Sequence, residues 1–453
     1  MKKNIEVILN IEDTAFPGLG VALMEDKKIF VKGTAPGQKV LAKISKVKKE
    51  YGEAKLIKII EKGEGAVIPA CPHFELCGGC THQNISYEKQ IELKEKQVLK
   101  LLEEVGINKF EYIGIEKSPE QFEYRNKMEF TFGDEEKGGP LTLGMHIKNK
   151  AFGIVSTDTC KIVDEDFNTI LNAVLTYFRE QNASYYKIMK REGFLRNLVI
   201  RKGKNTDEIL INLVTTSKET LACEDFKNLI LNLNLKGKLV GIIHTINDSF
   251  SDVVQADKID VLYGKDYLSE KVLGLDFKIS PFSFFQTNTK GAEKLYSMAL
   301  DFAGDISSKT VFDLYCGTGT IGQIAAQRAN KVIGIELIEE AVEAAKENAK
   351  LNGLSNCEFI AGDVAKVITE LTDKPDVIIL DPPRPGVHPK ALEYVIKFDA
   401  PVIVYVSCNP KSLMVDLKEL TKNGYVVEKV KVMDMFPMTP HVESVVRLHR
   451  KNI

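Results

Sequence analysis

Cys408 follows the apolar run Val402-Ile403-Val404-Tyr405-Val406 and precedes Asn409-Pro410 in this 453-residue chain. A short β-favouring run bounded by turn formers reads as a buried strand. Pro410 stops the ladder and suits the first turn of a helix. Cys408 is therefore expected at the carboxyl end of a strand, the edge of an open α/β sheet at which ligands bind. A thiol there is either a small core filler or, once ionised, a nucleophile. Glu443 lies in His441-Val442-Glu443-Ser444 at the start of another β-like run. A carboxylate among apolar residues is a candidate general base, because desolvation raises its basicity. Asp381 ends a further apolar run and opens Asp381-Pro382-Pro383-Arg384-Pro385-Gly386.

A second group is made of thiols. Cys71, Cys77 and Cys80 fall within ten residues, with Gly78-Gly79 between the last two, and Cys160 is the best candidate for a fourth member. The glycines let the chain fold tightly around a centre. Four thiolates suit a [4Fe–4S] cluster, and they also suit zinc; spacing does not choose between them. Eight cysteines in a long chain without an export signal favour metal binding or catalysis over disulfides.

These residues need elements to position them. From residue 281 to 453 strand and helix patterns alternate, with strands expected at 311–315, 331–335, 358–361, 377–380, 402–406, 426–433 and 442–447. That alternation predicts a doubly wound α/β domain. Gly317-x-Gly319-x-x-Gly322 follows the first of these strands. Such a turn lets a nucleoside-bearing ligand approach backbone amides at a helix start, and it fits NAD as well as S-adenosylmethionine. Glu336, at the end of the second strand, is placed to accept hydrogen bonds from ribose hydroxyls. An aromatic residue after Asp-Pro-Pro would suggest methylation of an exocyclic amine. Arg384 stands there instead, which leaves covalent work to Cys408.

Residues 1–62 hold five short β-like runs punctuated by Gly and Pro, with 13 Lys against eight Asp and Glu. A small, modestly basic β-barrel of the oligonucleotide-binding kind is expected. Residues 63–280 carry the cysteine cluster, an amphipathic helix over 84–105 and an α+β pattern with a largely antiparallel sheet. Arg125, Lys127, Arg196 and Arg201 on its strands are candidates to grip phosphates. The net charge of −2 gives no global nucleic-acid signal. No run of about 18 uncharged apolar residues is present, and the first residues lack an apolar leader, so a cytoplasmic protein is expected.

Taken together, these motifs resemble a known family. Cys71-x5-Cys77-Gly78-Gly79-Cys80, Phe284-Phe285-Gln286-x-Asn288, Asp313-Leu314-Tyr315-Cys316-Gly317, Asp381-Pro382-Pro383-Arg384, Ser407-Cys408-Asn409-Pro410 and His441-Val442-Glu443 resemble the RNA uracil-5-methyltransferases over essentially the whole chain. Gly18-Leu19-Gly20-Val21-Ala22, Phe30-Val31 and Pro36-Gly37 resemble a TRAM domain. A TRAM-like start combined with the cysteine cluster looks like the 23S rRNA branch.

The resemblance implies a multidomain protein: a TRAM barrel (1–62), a central α+β domain with an iron–sulfur site (63–280) and a Rossmann-like class I methyltransferase domain (281–453). It implies Cys408 as nucleophile and Glu443 as base. Gln286, Tyr315, Glu336, Asp363 and Asp381 would bind S-adenosylmethionine. Cys71, Cys77, Cys80 and Cys160 would hold a [4Fe–4S] cluster. The implied partner is 23S rRNA, naked or in a large-subunit assembly intermediate, with no membrane and no obligate protein partner.

Overall fold

The computed structural model describes residues 2–150, 152–250 and 256–451. The first module is a six-stranded sheet: β1 (Glu6–Asn10), β2 (Asp13–Ala15), β3 (Leu19–Met24), β4 (Lys27–Lys32), β5 (Lys39–Val47) and β6 (Tyr51–Glu61), in the order β1-β5-β6-β4-β3-β2. Val40, Ala42 and Ile44 alternate along β5 and are fully buried with Ile29 and Val31 in one small core. This is the period-two pattern that a curled sheet closing on its own interior requires. The expected five runs are present. The sixth strand, β2, is only three residues long and begins with an aspartate.

Helix α1 (Tyr87–Glu104) is capped by Ser86, whose hydroxyl accepts from the Lys89 amide at 3.3 Å. Strand β7 (Glu111–Glu116) follows. The middle sheet contains β8 (Lys127–Asp134), β9 (Leu141–His146), β10 (Ile154–Ser156), β11 (Leu195–Lys202), β12 (Glu208–Thr215), β13 (Lys238–Ile246) and β14 (Lys258–Gly264), ordered β10-β9-β8-β11-β12-β13-β14. Helices α2 (Glu165–Glu180) and α3 (Cys223–Leu231) pack on it. All neighbours are antiparallel except β12 and β13, which are joined by the α3 crossover. A hairpin of β15 (Leu268–Val272) and β16 (Leu275–Ile279) leads to α4 (Thr289–Ala303).

The last layer alternates strand and helix: β17 (Thr310–Leu314), α5 (Thr320–Ala326), β18 (Lys331–Glu336), α6 (Glu339–Leu351), β19 (Cys357–Ala361), α7 (Val364–Val367), β20 (Val377–Leu380), α8 (Pro389–Lys397), β21 (Val402–Ser407), α9 (Pro410–Lys422), β22 (Tyr425–Met433) and β23 (Glu443–Arg450). The sheet order is β19-β18-β17-β20-β21-β23-β22-β7. β17 to β21 are mutually parallel, β23 runs antiparallel to β21 and β22, and β7 adds parallel to β22. Two cores cover its faces, and β21 shows why. Val404 and Val406 point into the core with α4, while Ile403 and Tyr405 point into the core with Val98 and Leu102 of α1 and Leu413 and Leu417 of α9. Elements from within 63–280 thus complete this layer. Among the described residues, no helix is long and apolar enough to cross a membrane.

Candidate active site

The candidate residues gather at the carboxyl edge of the parallel strands. Tyr315 and Gly317 follow β17, Glu336 ends β18, Asp363 follows β19, Asp381 follows β20 and Cys408 follows β21. β23 runs the other way, so its first residue, Glu443, lies at the same edge. Ser407 pairs with Ser444 across β21 and β23, and continuing that register sets Cys408 beside Glu443. The Ser407 hydroxyl accepts from the Asn409 amide at 3.2 Å, which fixes the backbone around the thiol. Asn409 Nδ2 and Ser412 Oγ both donate to the Arg384 carbonyl at 2.9 Å, tying the Asp-Pro-Pro-Arg loop to the Cys408 turn.

Three acids share this pocket. Burial first, and then the charge of Asp381, pushes the Glu443 carboxyl well above the usual carboxylate range; Arg384 opposes the rise. Burial pushes Asp381 up to about 7. Cys408 is pushed up to about 11 by burial, then by Glu443 and Asp381, and Arg384 again pulls the other way. Groups this close in an apolar setting cannot all ionise, and the one cation among them offsets only part of the repulsion. Cys408 is partly exposed, so the thiol is reachable from solvent.

The glycine turn after β17 divides its labour. A Cβ on Gly319 would meet Phe359 at 2.6 Å and one on Gly322 would meet Asp313 at 2.8 Å, so these two glycines serve packing. A Cβ on Gly317 would meet nothing within 4 Å, and its backbone (φ 54°) faces open space. Tyr315 is held at φ 68°, a conformation that L residues rarely adopt and that clusters at ligand sites. Glu336 accepts from the Gly317 amide at 3.1 Å and the Ile338 amide at 3.0 Å, and each oxygen keeps a free lone pair for a hydroxyl. Fully buried Asp313 accepts from the Gly322 amide at 2.8 Å through one oxygen, and its other oxygen has no protein partner. This edge therefore offers a nucleoside-bearing ligand an open glycine and an oriented acid, beside an unsatisfied buried acceptor. Asp363 is exposed and caps the four-residue α7, accepting from the Ala365 amide at 2.9 Å. Its charge reaches Tyr315, as does that of Glu336.

Gln286 comes from the loop before α4. Phe285 beside it is buried in the core that contains Val406, whereas Phe284 is 72% exposed. Sequence reasoning did not foresee what holds this loop. Asn126 Nδ2 donates to the Gln286 carbonyl at 3.0 Å, and Arg201 donates to the carbonyls of Pro281 and Ser283. Arg196 is likewise buried and donates to the Asn247 and Ser249 carbonyls at 2.8 Å. Arg196 and Arg201, expected on sheet faces that grip phosphates, spend their donors on the protein's own backbone. The only sequence signal for that role was their place inside apolar runs.

The four thiols of the second group also come together. Cys71, Cys80 and Cys160 are buried, and the Gly79 amide donates to Cys77 Sγ at 3.3 Å. Burial is the main cause that lifts Cys80 to about 11 and Cys160 to about 12; Cys80 also feels the charges of Cys77 and Cys71, and Cys160 those of Cys80, Cys71 and Cys77. Lys148, over the Phe74 ring at 3.8 Å, lowers the cost of negative charge on Cys77 and Cys80. Among the described residues, no three His, Cys, Asp or Glu side chains meet closely enough to hold a single metal ion.

An open parallel sheet with an antiparallel strand inserted before its last member departs from the all-parallel dinucleotide-binding order. With its glycine turn and acid, it is the architecture of an S-adenosylmethionine-dependent methyltransferase. Sequence models of the tRNA (uracil-5-)-methyltransferase family and of the TRAM domain match residues 86–451 and 4–57. The chain is 63% identical over 452 residues to an uncharacterized RNA methyltransferase of Clostridium tetani, covering 100% of this chain and 99% of that one. It is 52% identical over 445 residues to one of Caldanaerobacter subterraneus, covering 98% and 99%. It superposes with a TM-score of 0.78 and 28% identity on Pyrococcus abyssi tRNA (uracil-54, C5)-methyltransferase in complex with S-adenosyl-L-homocysteine, covering 97% of this chain and 100% of that one. The chain belongs to the RNA (uracil-5-)-methyltransferase family and carries a TRAM domain.

Proposed function

We propose that this chain methylates carbon 5 of one or two uridines of 23S rRNA in the cytoplasm, through a covalent bond from Cys408. The observation that carries the reading is the register that sets Cys408 at the end of β21 beside Glu443, within the field of Asp381 and Arg384. Carbon 5 of uracil is a poor nucleophile. The Cys408 sulfur adds to carbon 6, and the electrons of the ring double bond move into an enolate that makes carbon 5 nucleophilic. S-adenosylmethionine, which Gln286, Tyr315, Glu336, Asp363 and Asp381 would hold, would supply the methyl group: carbon 5 takes it as the methyl–sulfur bond breaks, and neutral S-adenosylhomocysteine is the leaving group. Glu443 then takes the carbon-5 proton, the double bond reforms, and Cys408 leaves as thiolate. The target base must leave its stack to reach both groups.

RNA containing 5-fluorouridine tests this directly, because the fluorine leaves Glu443 no proton to remove. The expected outcome is an adduct stable to denaturation with 23S rRNA fragments, absent in Cys408→Ala. An undiminished adduct in that variant refutes the nucleophile. A tRNA substrate is the second reading, favoured by the full-length superposition on a tRNA enzyme. The same trap run on tRNA separates the two.

Cys71, Cys77, Cys80 and Cys160 are proposed to hold a [4Fe–4S] cluster that braces the loop 71–80 against the middle domain. Anaerobic purification is expected to give a brown protein with iron and sulfide in equal amounts. Zinc without sulfide overturns the assignment.

A further inference from the structure

Glu443 is the first residue of β23 and pairs with Met433 at the end of β22, and the connection 434–442 leads into it. Connections usually run over the surface because their backbone groups need water. This one is buried: Asp434, Met435, Met438, Thr439 and Val442 are all inside the protein. Four other parts of the chain satisfy its carbonyls in succession. Asn288, the cap of α4, donates to the Met435 carbonyl at 2.8 Å, and Lys94 Nζ donates to that of Phe436 at 3.1 Å. The Tyr124 hydroxyl donates to the Pro437 carbonyl at 3.0 Å. The Thr81 and His82 amides, directly after Cys80, both donate to the Met438 carbonyl, at 2.8 and 3.1 Å. Gln90 Oε1 accepts from the Met438 amide at 2.9 Å, while its Nε2 donates to the carbonyls of His82 and Ile85. Met438 sits at φ 65°, so the connection adopts a strained shape that its surroundings impose.

Lys94 is the unexpected member. It is 2% exposed and ion-paired with Asp434, which is 0% exposed. A buried pair of this kind contributes little net stability, and similar-sized apolar residues often do as well. It does supply direction: one ammonium grips both ends of the Asp434–Phe436 step. Cys408 is held separately, through Ser407, Asn409 and the Arg384 carbonyl.

We propose that Lys94 and Gln90 of α1 are positioning residues that set the Glu443 carboxylate for proton removal, without acting on the bond-forming step at Cys408. The inference rests on Cys408 as nucleophile and Glu443 as base. Its signature is a specific stall. With Lys94→Met and ordinary uridine RNA, addition and methyl transfer proceed while release slows. Methylated RNA therefore stays bonded to the protein, and kcat falls by roughly a hundredfold with KM little changed. Glu443→Gln is run alongside. If Glu443→Gln accumulates the methylated adduct and Lys94→Met turns over normally, or loses adduct formation and turnover in step, the positioning role falls and the reading of Glu443 stands. If Glu443→Gln accumulates none, the reading of Glu443 itself falls. Should Lys94→Met fail to fold, Lys94→Met/Asp434→Leu removes both buried charges. That variant is expected to show the same stall, and normal turnover by it overturns the proposal.

Discussion

The pocket that brings Cys408 and Glu443 together raises the cost of ionising both. The thiol sits at about 11 and the carboxyl above its ordinary range, for the same first reason, burial. A thiolate must form before carbon 6 can be attacked, and its fraction grows about tenfold per pH unit below the thiol's own value. The thiolate is gained as pH rises, and the upward shift moves that gain into the alkaline range. Adduct formation with 5-fluorouridine RNA, measured in a single turnover, is therefore expected to accelerate from neutral into alkaline pH. Arg384 is the cation that lowers the cost of both ionisations, so Arg384→Gln is expected to displace the profile to higher pH. A rate independent of pH, or an unmoved profile in the variant, would contradict a thiol ionising in this field.

At the scale of elements, legibility followed locality. The strand ends that carry Cys408 and Asp381 could be read because each apolar run stops at a turn former, and the one that carries Glu336 because its run ends on a charge. The helix over 84–105 could be read from Ile91, Val98 and Leu102, and the structure places it at Tyr87–Glu104. What α1 packs against could not be read. Val98 and Leu102 share a core with Leu417 and Val430, more than 300 residues away in a 453-residue chain. β7 lies at the edge of the sheet that contains β22 for the same non-local reason. The family match begins at residue 86, the cap of α1, so this helix travels with the catalytic sheet. β2 escaped notice because Asp13-Thr14-Ala15 looks like a turn. It is ordered by tertiary bonds: Asp13 pairs with Lys96 at 3.0 Å and Lys100 at 2.7 Å, and Thr14 Oγ1 accepts from Gln97 at 2.8 Å. Arg196 and Arg201 were noticed but misread, since a basic residue on a strand looks the same whether it faces phosphate or a neighbouring carbonyl.

Across the whole molecule, the TRAM module and the catalytic sheet meet at the connection that ends in Glu443. Gly18, in the turn before β3, donates its amide to Gln97 of α1 at 3.2 Å. A Cβ there would stand 2.6 Å from Pro440 Cβ and 2.9 Å from His82 Cε1, and the backbone is at φ 61°. His82 is wholly buried at this contact, and burial holds its imidazole down at about 3, so neither pH nor charge loosens the joint at neutrality. Gly18→Ala must move the module, Pro440 or both, at a cost of about 1–3 kcal/mol from backbone strain and overpacking. The TRAM surface then no longer holds a fixed angle to the pocket, and RNA that spans both loses part of its grip. The expected outcome is a lower melting temperature and a higher KM for long RNA. Calorimetric affinity for S-adenosylmethionine should stay unchanged, because the glycine turn follows β17, separated from β23 by β20 and β21. If KM and melting temperature both match the parent protein, the barrel is a passenger on the enzyme and its docking carries no part of RNA recognition.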